Sequence, residues 1–263
     1  DAHALAEDFS KAQLKHEISQ SASSEEATEQ TISLEERYTL LDELLKSNDY
    51  QTVERNCTIS LDASDKDGET SWEIRRTNTL ENDLVGGLMN DLTDPDILSP
   101  EDTILVYLNT LKNMTAEELG NYLNADSIIS TEDPAKISLA EALVKQVHST
   151  FNYSIGETTV SGYTATVTAN ITTFDSDAIL ENYQKELDTY LASVDAVIDG
   201  AQKRYEKSYS LLLEYIEENT ATKTVETTFT LINDGASWKL EDAGTVFGQA
   251  LFGTLSSSPV EDE

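Results

Sequence analysis

The sequence predicts an α+β protein in which helices and antiparallel hairpins follow one another in blocks. Three observations carry this expectation. Apolar residues recur every three or four positions along several stretches, as a helix face requires. Strict alternation marks Tyr163, Ala165, Val167, Ala169 and Ile171, with Thr164, Thr166, Thr168 and Asn170 between them, as in a half-buried strand. The only two tryptophans, Trp72 and Trp238, occupy matching places in two similar stretches.

Taken in order, residues 1–20 read as an amphipathic helix, because Leu5, Phe9, Ala12 and His16 share a face. Residues 21–30 are small, polar and acidic, which suits a linker or a solvated helix end. Ser33 and Glu36 form a capping box before a helix reaching Ser47 on Leu34, Tyr38, Leu41 and Leu45. Residues 50–61 alternate and predict a strand, 62–68 an acidic loop, and 71–75 a second strand around Trp72 and Ile74. Leu80, Leu84, Leu88 and Leu92 predict one helix over 80–92. Two of the four prolines fall in 93–100, so a linker is expected at 93–99. Pro100, after Ser99, opens the next helix, with Glu101 and Asp102 at its positive end. Further helices are expected from Thr115, whose capping box uses Glu118, and over 138–150. A hairpin follows at 151–158 and 163–173, turning at Ser161-Gly162. Residues 176–218 form a long helical region that Gly200 divides. A hairpin of 222–232 and 237–240 turns at Asn233–Gly235, and a helix closes the fold over 245–255. The tail, 257–263, is expected to be disordered.

The two tryptophan-bearing hairpins suggest an internal repeat. Thr52-Val53-Glu54 matches Thr224-Val225-Glu226, and in that register Cys57 falls on Phe229. After the turn Trp72 falls on Trp238, Leu84 on Ala250, Val85 on Leu251 and Gly87 on Gly253, which implies a longer first hairpin loop. Residues 1–92 then correspond to the second half of a complete domain at 100–256. The first copy lacks the opening helices and first hairpin. The natural precursor is expected to carry roughly 70 further residues of domain ahead of Asp1.

Residues 100–256 also resemble a known family. The segments that carry the resemblance are PEDTILVYLNTLKNMTAEELGNYL, the hairpin FNYSIGETTVSGYTATVTANIT, and TVETTFTLINDGASWKLED before a short closing helix. Together they look like the uncharacterised lipoproteins of Gram-positive bacteria with nuclear-transport-factor-two-like (cystatin-like) α+β domains. The resemblance implies tandem cone-like domains, each a curved antiparallel sheet packed on helices, the first incomplete and the second carrying the long helical insert at 176–218. It also implies export and attachment to the cell surface by a lipid on a cysteine that is not in this sequence.

Fifty acidic residues against seventeen basic ones give a net charge of −33. Repulsion of phosphate argues against binding nucleic acid or anionic lipid unaided, so membrane contact is expected only through an upstream lipid anchor. The charge suits a solvated surface on a secreted protein, and a halophilic origin would also produce it. One cysteine excludes an internal disulfide framework. Cys57 reads as a small buried hydrophobe on its strand. Three histidines, His3, His16 and His148, lie in no zinc-ligand or nucleophile-activating motif. The acidic stretch 62–69 fails the calcium-loop spacing, since a Gly68 at the sixth position puts Ala63 first and Ile74 twelfth. Gly86-Gly87 is no phosphate loop and is expected to let a helix approach the sheet. Four Asn-x-Ser/Thr sequons, at Asn56, Asn113, Asn152 and Asn170, lie mostly in or near expected strands, which disfavours glycosylation.

Three functional readings result. The first is a non-enzymatic, exported binding or interaction module, needing no cofactor or metal, that takes a small amphipathic ligand or a protein or cell-wall partner. Its pocket would be lined by Tyr107, Tyr122, Phe151, Tyr153 and Trp238, although aromatic residues at such positions are more often core. The second is a polyketide-cyclase-like or isomerase-like enzyme using an acid or histidine beside a tyrosine in the cone. The third is a structural spacer whose cone is filled by its own side chains.

Overall fold

The structure is a computed structural model and describes residues 1–22, 32–54, 56–66, 69–123 and 134–256. Its class is mixed α+β, with two antiparallel sheets, neither closed, among the described residues. Tandem cones are not established by it. The expected linker at 21–30 falls largely, and the expected tail at 257–263 wholly, outside the described residues.

The described residues fall into two compact units. The first comprises Asp1–Leu14, Thr31–Ser99 and Asn233–Trp238, and the second Lys15–Gln30, Pro100–Ile232 and Lys239–Glu263.

A four-stranded sheet runs in the order β3 (Asn152–Ser161), β4 (Thr164–Phe174), β5 (Thr222–Asn233) and β6 (Trp238–Leu240), and all of it except Asn233 and Trp238 belongs to the second unit. Strand β4 is central. It pairs antiparallel with β3 and, over its whole length, with β5, from Thr164 opposite Ile232 to Phe174 opposite Thr222. Its buried side chains are the alternating Ala165, Val167, Ala169, Ile171 and Thr173, with Phe174 at its end. Tyr163, placed on that inward set by alternation, is instead exposed just before the strand begins. Helices α5 (Pro100–Asn113), α7 (Pro134–Thr150) and α10 (Ala243–Phe252) pack on β4. They bury Ile104, Leu108, Val147, Phe247 and Leu251 against it, each side chain contributing about 1.5–3 kcal/mol. Helix α6 (Ala116–Tyr122) starts at the expected Thr115–Glu118 capping box.

The long helical region divides twice. Helix α8 (Ser176–Leu191) ends before Ser193, whose hydroxyl accepts from the Ala196 amide and caps α9 (Val194–Glu218). Gly200 then leaves helical geometry at φ 72°, ψ −179°, the division expected from its lack of a side chain. Farther on, the Gln146 side chain of α7 donates to the Ile216 and Asn219 carbonyls, satisfying acceptors that the end of α9 leaves open.

In the first unit, α1 begins (Ala2–Ser21) and buries Leu5, Ala6 and Phe9. Helix α2 (Leu34–Ser47) begins at the expected capping box, and the Arg37 guanidinium lies 6.0 Å from the Phe9 ring centroid. Tyr50 donates to the Asp8 carboxylate at 3.0 Å.

Four expectations need correction here. Residues 51–54 and 56–60 form no strand, and the stretch expected to be a loop is strand β1 (Leu61–Lys66), paired with β2 (Glu69–Ile74) from Leu61 opposite Ile74 to Lys66 opposite Glu69. The extra residues of the first hairpin therefore lengthen its ladder rather than its loop. Asp67-Gly68, between the strands, is a strong two-residue hairpin signal, and acids on a ribbon exposed on both faces cost little. The expected helix at 80–92 is two short ones, α3 (Asn78–Leu84) and α4 (Leu88–Asp91), because Gly86 and Gly87 adopt φ of 72° and 93°. Gly86 does permit a close approach, but of a helix: a Cβ there would stand 3.3 Å from that of Ala2. Cys57 is exposed, since the strand expected to bury it does not form.

The order α1, α2, β1, β2, α3, α4 has the same sequence of elements as α8, α9, β5, β6, α10 and the 3₁₀ turn Gly253–Ser256. Gly87 and Gly253, matched by the alignment, both have positive φ and both introduce a short helical turn.

Candidate functional site

The aromatic residues expected to line a pocket are distributed over the two units. Tyr107, Tyr122, Phe151 and Tyr153 belong to the second unit and Trp238 to the first.

Within the second unit they behave as core and core margin. The Tyr107 ring lies 6.1 Å from that of Phe247, which lies 5.3 Å from that of Phe229. Phe229 and Phe247 are fully buried. Burial pushes the Tyr107 hydroxyl above its usual pKa, with Glu17 adding to the rise. Burial raises Tyr122 further, and Tyr107 contributes. Phe151 is buried, 6.0 Å from the Tyr153 ring. Tyr153 is half-buried and donates to the Asn109 side chain, with the Lys112 ammonium 5.7 Å from its ring centroid. Tyrosines of raised pKa remain neutral donors at physiological pH, able to orient a ligand but not to act as bases.

In the first unit, the Trp238 indole donates to Asp96 at 2.9 Å, and the Asn233 amide donates to the same carboxylate at 3.0 Å. Trp238 is therefore a buried anchor of the turn at 233–238. Among the described residues no group of three or more His, Cys, Asp or Glu side chains is gathered as a metal ion would need, and no helix is long and apolar enough to cross a membrane.

The feature that sequence patterning did not single out is a set of exposed large apolar side chains in the first unit. Helix α2 has no buried residue, so its Leu34, Tyr38 and Leu45 face solvent. On β2 every residue is exposed, including Trp72 at 63% and Ile74. Leu84, Val85 and Met89 extend the exposure into α3 and α4. The matched residues of the other half are mostly buried: Trp238 is 5% exposed, Ala250 7% and Leu251 0%. The electrostatics around the exposed set are those of surface pairs. Arg75 holds the Asp62 carboxyl below its ordinary pKa, with Nε–O distances of 3.0 and 3.1 Å.

No family model and no curated protein matches the chain. Among solved structures it is similar to a candidate lipoprotein, YcdA, of Bacillus subtilis, at 13% identity and a TM-score of 0.33. The match covers 72% of this chain and 64% of that one, so the chain spans somewhat less than two thirds of its length.

Proposed function

We propose that the chain is an exported, surface-attached interaction module that binds a protein partner and does not turn over a substrate. The observation that carries this is the number of large apolar side chains exposed on α2, β2, α3 and α4. Burying such side chains on a partner would contribute about 25 cal/mol per Å² of apolar area, the driving force of most protein association. The make-up of residues 100–256 supports export and lipid attachment through their resemblance to Gram-positive lipoproteins. A small ligand in the second unit is less favoured, because Phe151 is buried and Tyr107 joins the Phe229–Phe247 core.

The test is a photo-crosslinking residue placed at Trp72 or, as a control on the other unit, at exposed Tyr163, in cells that produce the protein. A discrete protein adduct at position 72 and none at 163 is expected. Equal adducts at both, or none at either, would contradict the reading.

A further inference from the structure

The outer face of the second unit's sheet is an array of hydroxyls. Strand β4 turns Val167, Ala169 and Ile171 inward, and Thr166, Thr168 and Thr172 alternate with them on the other side. The register sets Thr159 of β3, Thr166 of β4 and Thr230 of β5 in one row, with Thr168 and Thr228 in the next. Farther along, Asn152, Thr172 and Thr224 form another row. All of these residues are exposed or half-buried. Neighbours in a row stand about 4.8 Å apart and successive rows about 6.8 Å apart, as in any pleated sheet. Threonine favours strands, so a few on a solvent face need no partner. Two further observations set this face apart. First, the hydroxyls of Thr159, Thr166, Thr228 and Thr230 bond to no group among the described residues, which leaves a contiguous patch of donors and acceptors turned to solvent. By contrast, Thr172 and Thr224 bond each other at 2.7 Å, and Thr168 accepts from the Glu157 amide and donates to its carbonyl. Second, the four strands carry Glu157, Lys223, Glu226 and Lys239 and no other charge, so the sheet is neutral in a chain of −33. Lys223 is paired with Asp177, which leaves Glu157, Glu226 and Lys239 as the charges beside the rows.

We propose that this face binds a neutral polysaccharide laid flat across β3, β4 and β5. Each threonine hydroxyl offers one donor and two acceptor lone pairs, as each sugar hydroxyl does, so the two arrays can exchange bonds to water for bonds to one another. The methyl groups beside the hydroxyls meet the C–H faces of the sugar rings. A polymer repeats its hydroxyls along its length and the rows repeat theirs, so one register satisfies several bonds together. Charge and composition select this occupant. Nucleic acid needs cations that the rows do not supply, and anionic lipid is repelled by a chain of −33. Protein interfaces are anchored by aromatic residues and arginine, with serine and threonine under-represented among the strongest contacts, and the rows hold neither anchor. The face is separate from the exposed apolar side chains of the first unit, so the proposal adds to the interaction reading and does not rest on it.

The experiment measures depletion of the full chain from solution by insoluble chitin and by microcrystalline cellulose, with a carboxymethyl-cellulose resin as the anionic control. Binding to at least one neutral polymer is expected, unchanged when salt is raised from about 0.1 to about 1 M. Thr166→Val combined with Thr230→Val removes two free hydroxyls and keeps the β-branched shape. It should weaken binding about tenfold and leave the circular dichroism and melting temperature unchanged. Thr159→Val, at the sheet edge, is the second variant and should weaken binding about threefold. Trp72→Ser, in the first unit, should bind as the unaltered chain does. Binding to neither neutral polymer overturns the proposal. So does undiminished binding by the threonine variants, retention that disappears at high salt, or tighter binding to the anionic resin. Loss of binding in Trp72→Ser also overturns it and moves the contact to the first unit. The photo-crosslink at Trp72 succeeds or fails separately, so the two readings are tested apart.

Discussion

Thr52-Val53-Glu54 and Thr224-Val225-Glu226 are the same tripeptide in two settings. The second lies in β5, held by β4 along eleven residue pairs. The first lies in no strand. Downstream, Trp72 and Trp238 repeat the contrast, one exposed on a ribbon and the other buried with its indole N–H on Asp96. The comparison teaches that strand formation here is set by the partner and not by local propensity, because β-propensity chiefly measures packing against neighbours.

Four substitutions or measurements can break or sharpen this contrast. The largest effect is expected at Phe229, fully buried and 5.3 Å from Phe247, where Phe229→Ala should cost about 3–5 kcal/mol by urea unfolding. Its match Cys57→Ala should stay within about 0.5 kcal/mol, since Cys57 is exposed. A cost at Cys57 comparable to that at Phe229 would break the comparison. Next, Trp238→Phe should lose about 1–2 kcal/mol with the Asp96 hydrogen bond, whereas Trp72→Phe should lose close to nothing. The same two variants separate the emission spectra. Fluorescence remaining in Trp72→Phe should be blue-shifted and poorly quenched by acrylamide, and that remaining in Trp238→Phe red-shifted and readily quenched.

The smallest effect concerns surface ion pairs. Asp177 has a lowered pKa, first because Lys223 donates to it and then because Thr254 does at 2.9 Å. Asp62 is lowered by Arg75. In each case the folded value lies below the unfolded one. The stabilisation is therefore present above about pH 4 and is lost as pH falls through the folded value. Carboxyl-detected NMR titration should place both midpoints below the ordinary 3.8. Both side chains are half exposed, so Lys223→Ala and Arg75→Ala should each change stability only slightly.

Much of the fold was legible where the signal was local. The capping boxes of Ser33–Glu36 and Thr115–Glu118 fixed two helix starts to the residue, because both partners lie within one turn. Strand β4 was legible from its alternation, and Gly200 from its missing side chain. What failed depended on distant partners. Residues 51–54 and 56–60 alternate like a strand but lie in no ladder among the described residues, while 61–66, acidic and turn-like in composition, pair with 69–74. The 80–92 periodicity hid two positive-φ glycines, whose effect on backbone direction a four-residue apolar step does not register. For the candidate site, aromatic identity was legible but location was not: Trp238 is drawn to Asp96, 142 residues away in sequence, by a hydrogen bond that no spacing announces.

The most direct measurement is amide hydrogen exchange of the full chain without added partner, comparing residues 52–54 with 224–226. The account predicts near-random-coil exchange at 52–54 and strong protection at 224–226. Comparable protection in the two tripeptides would contradict it, because residues 50–61 would then already be a paired strand.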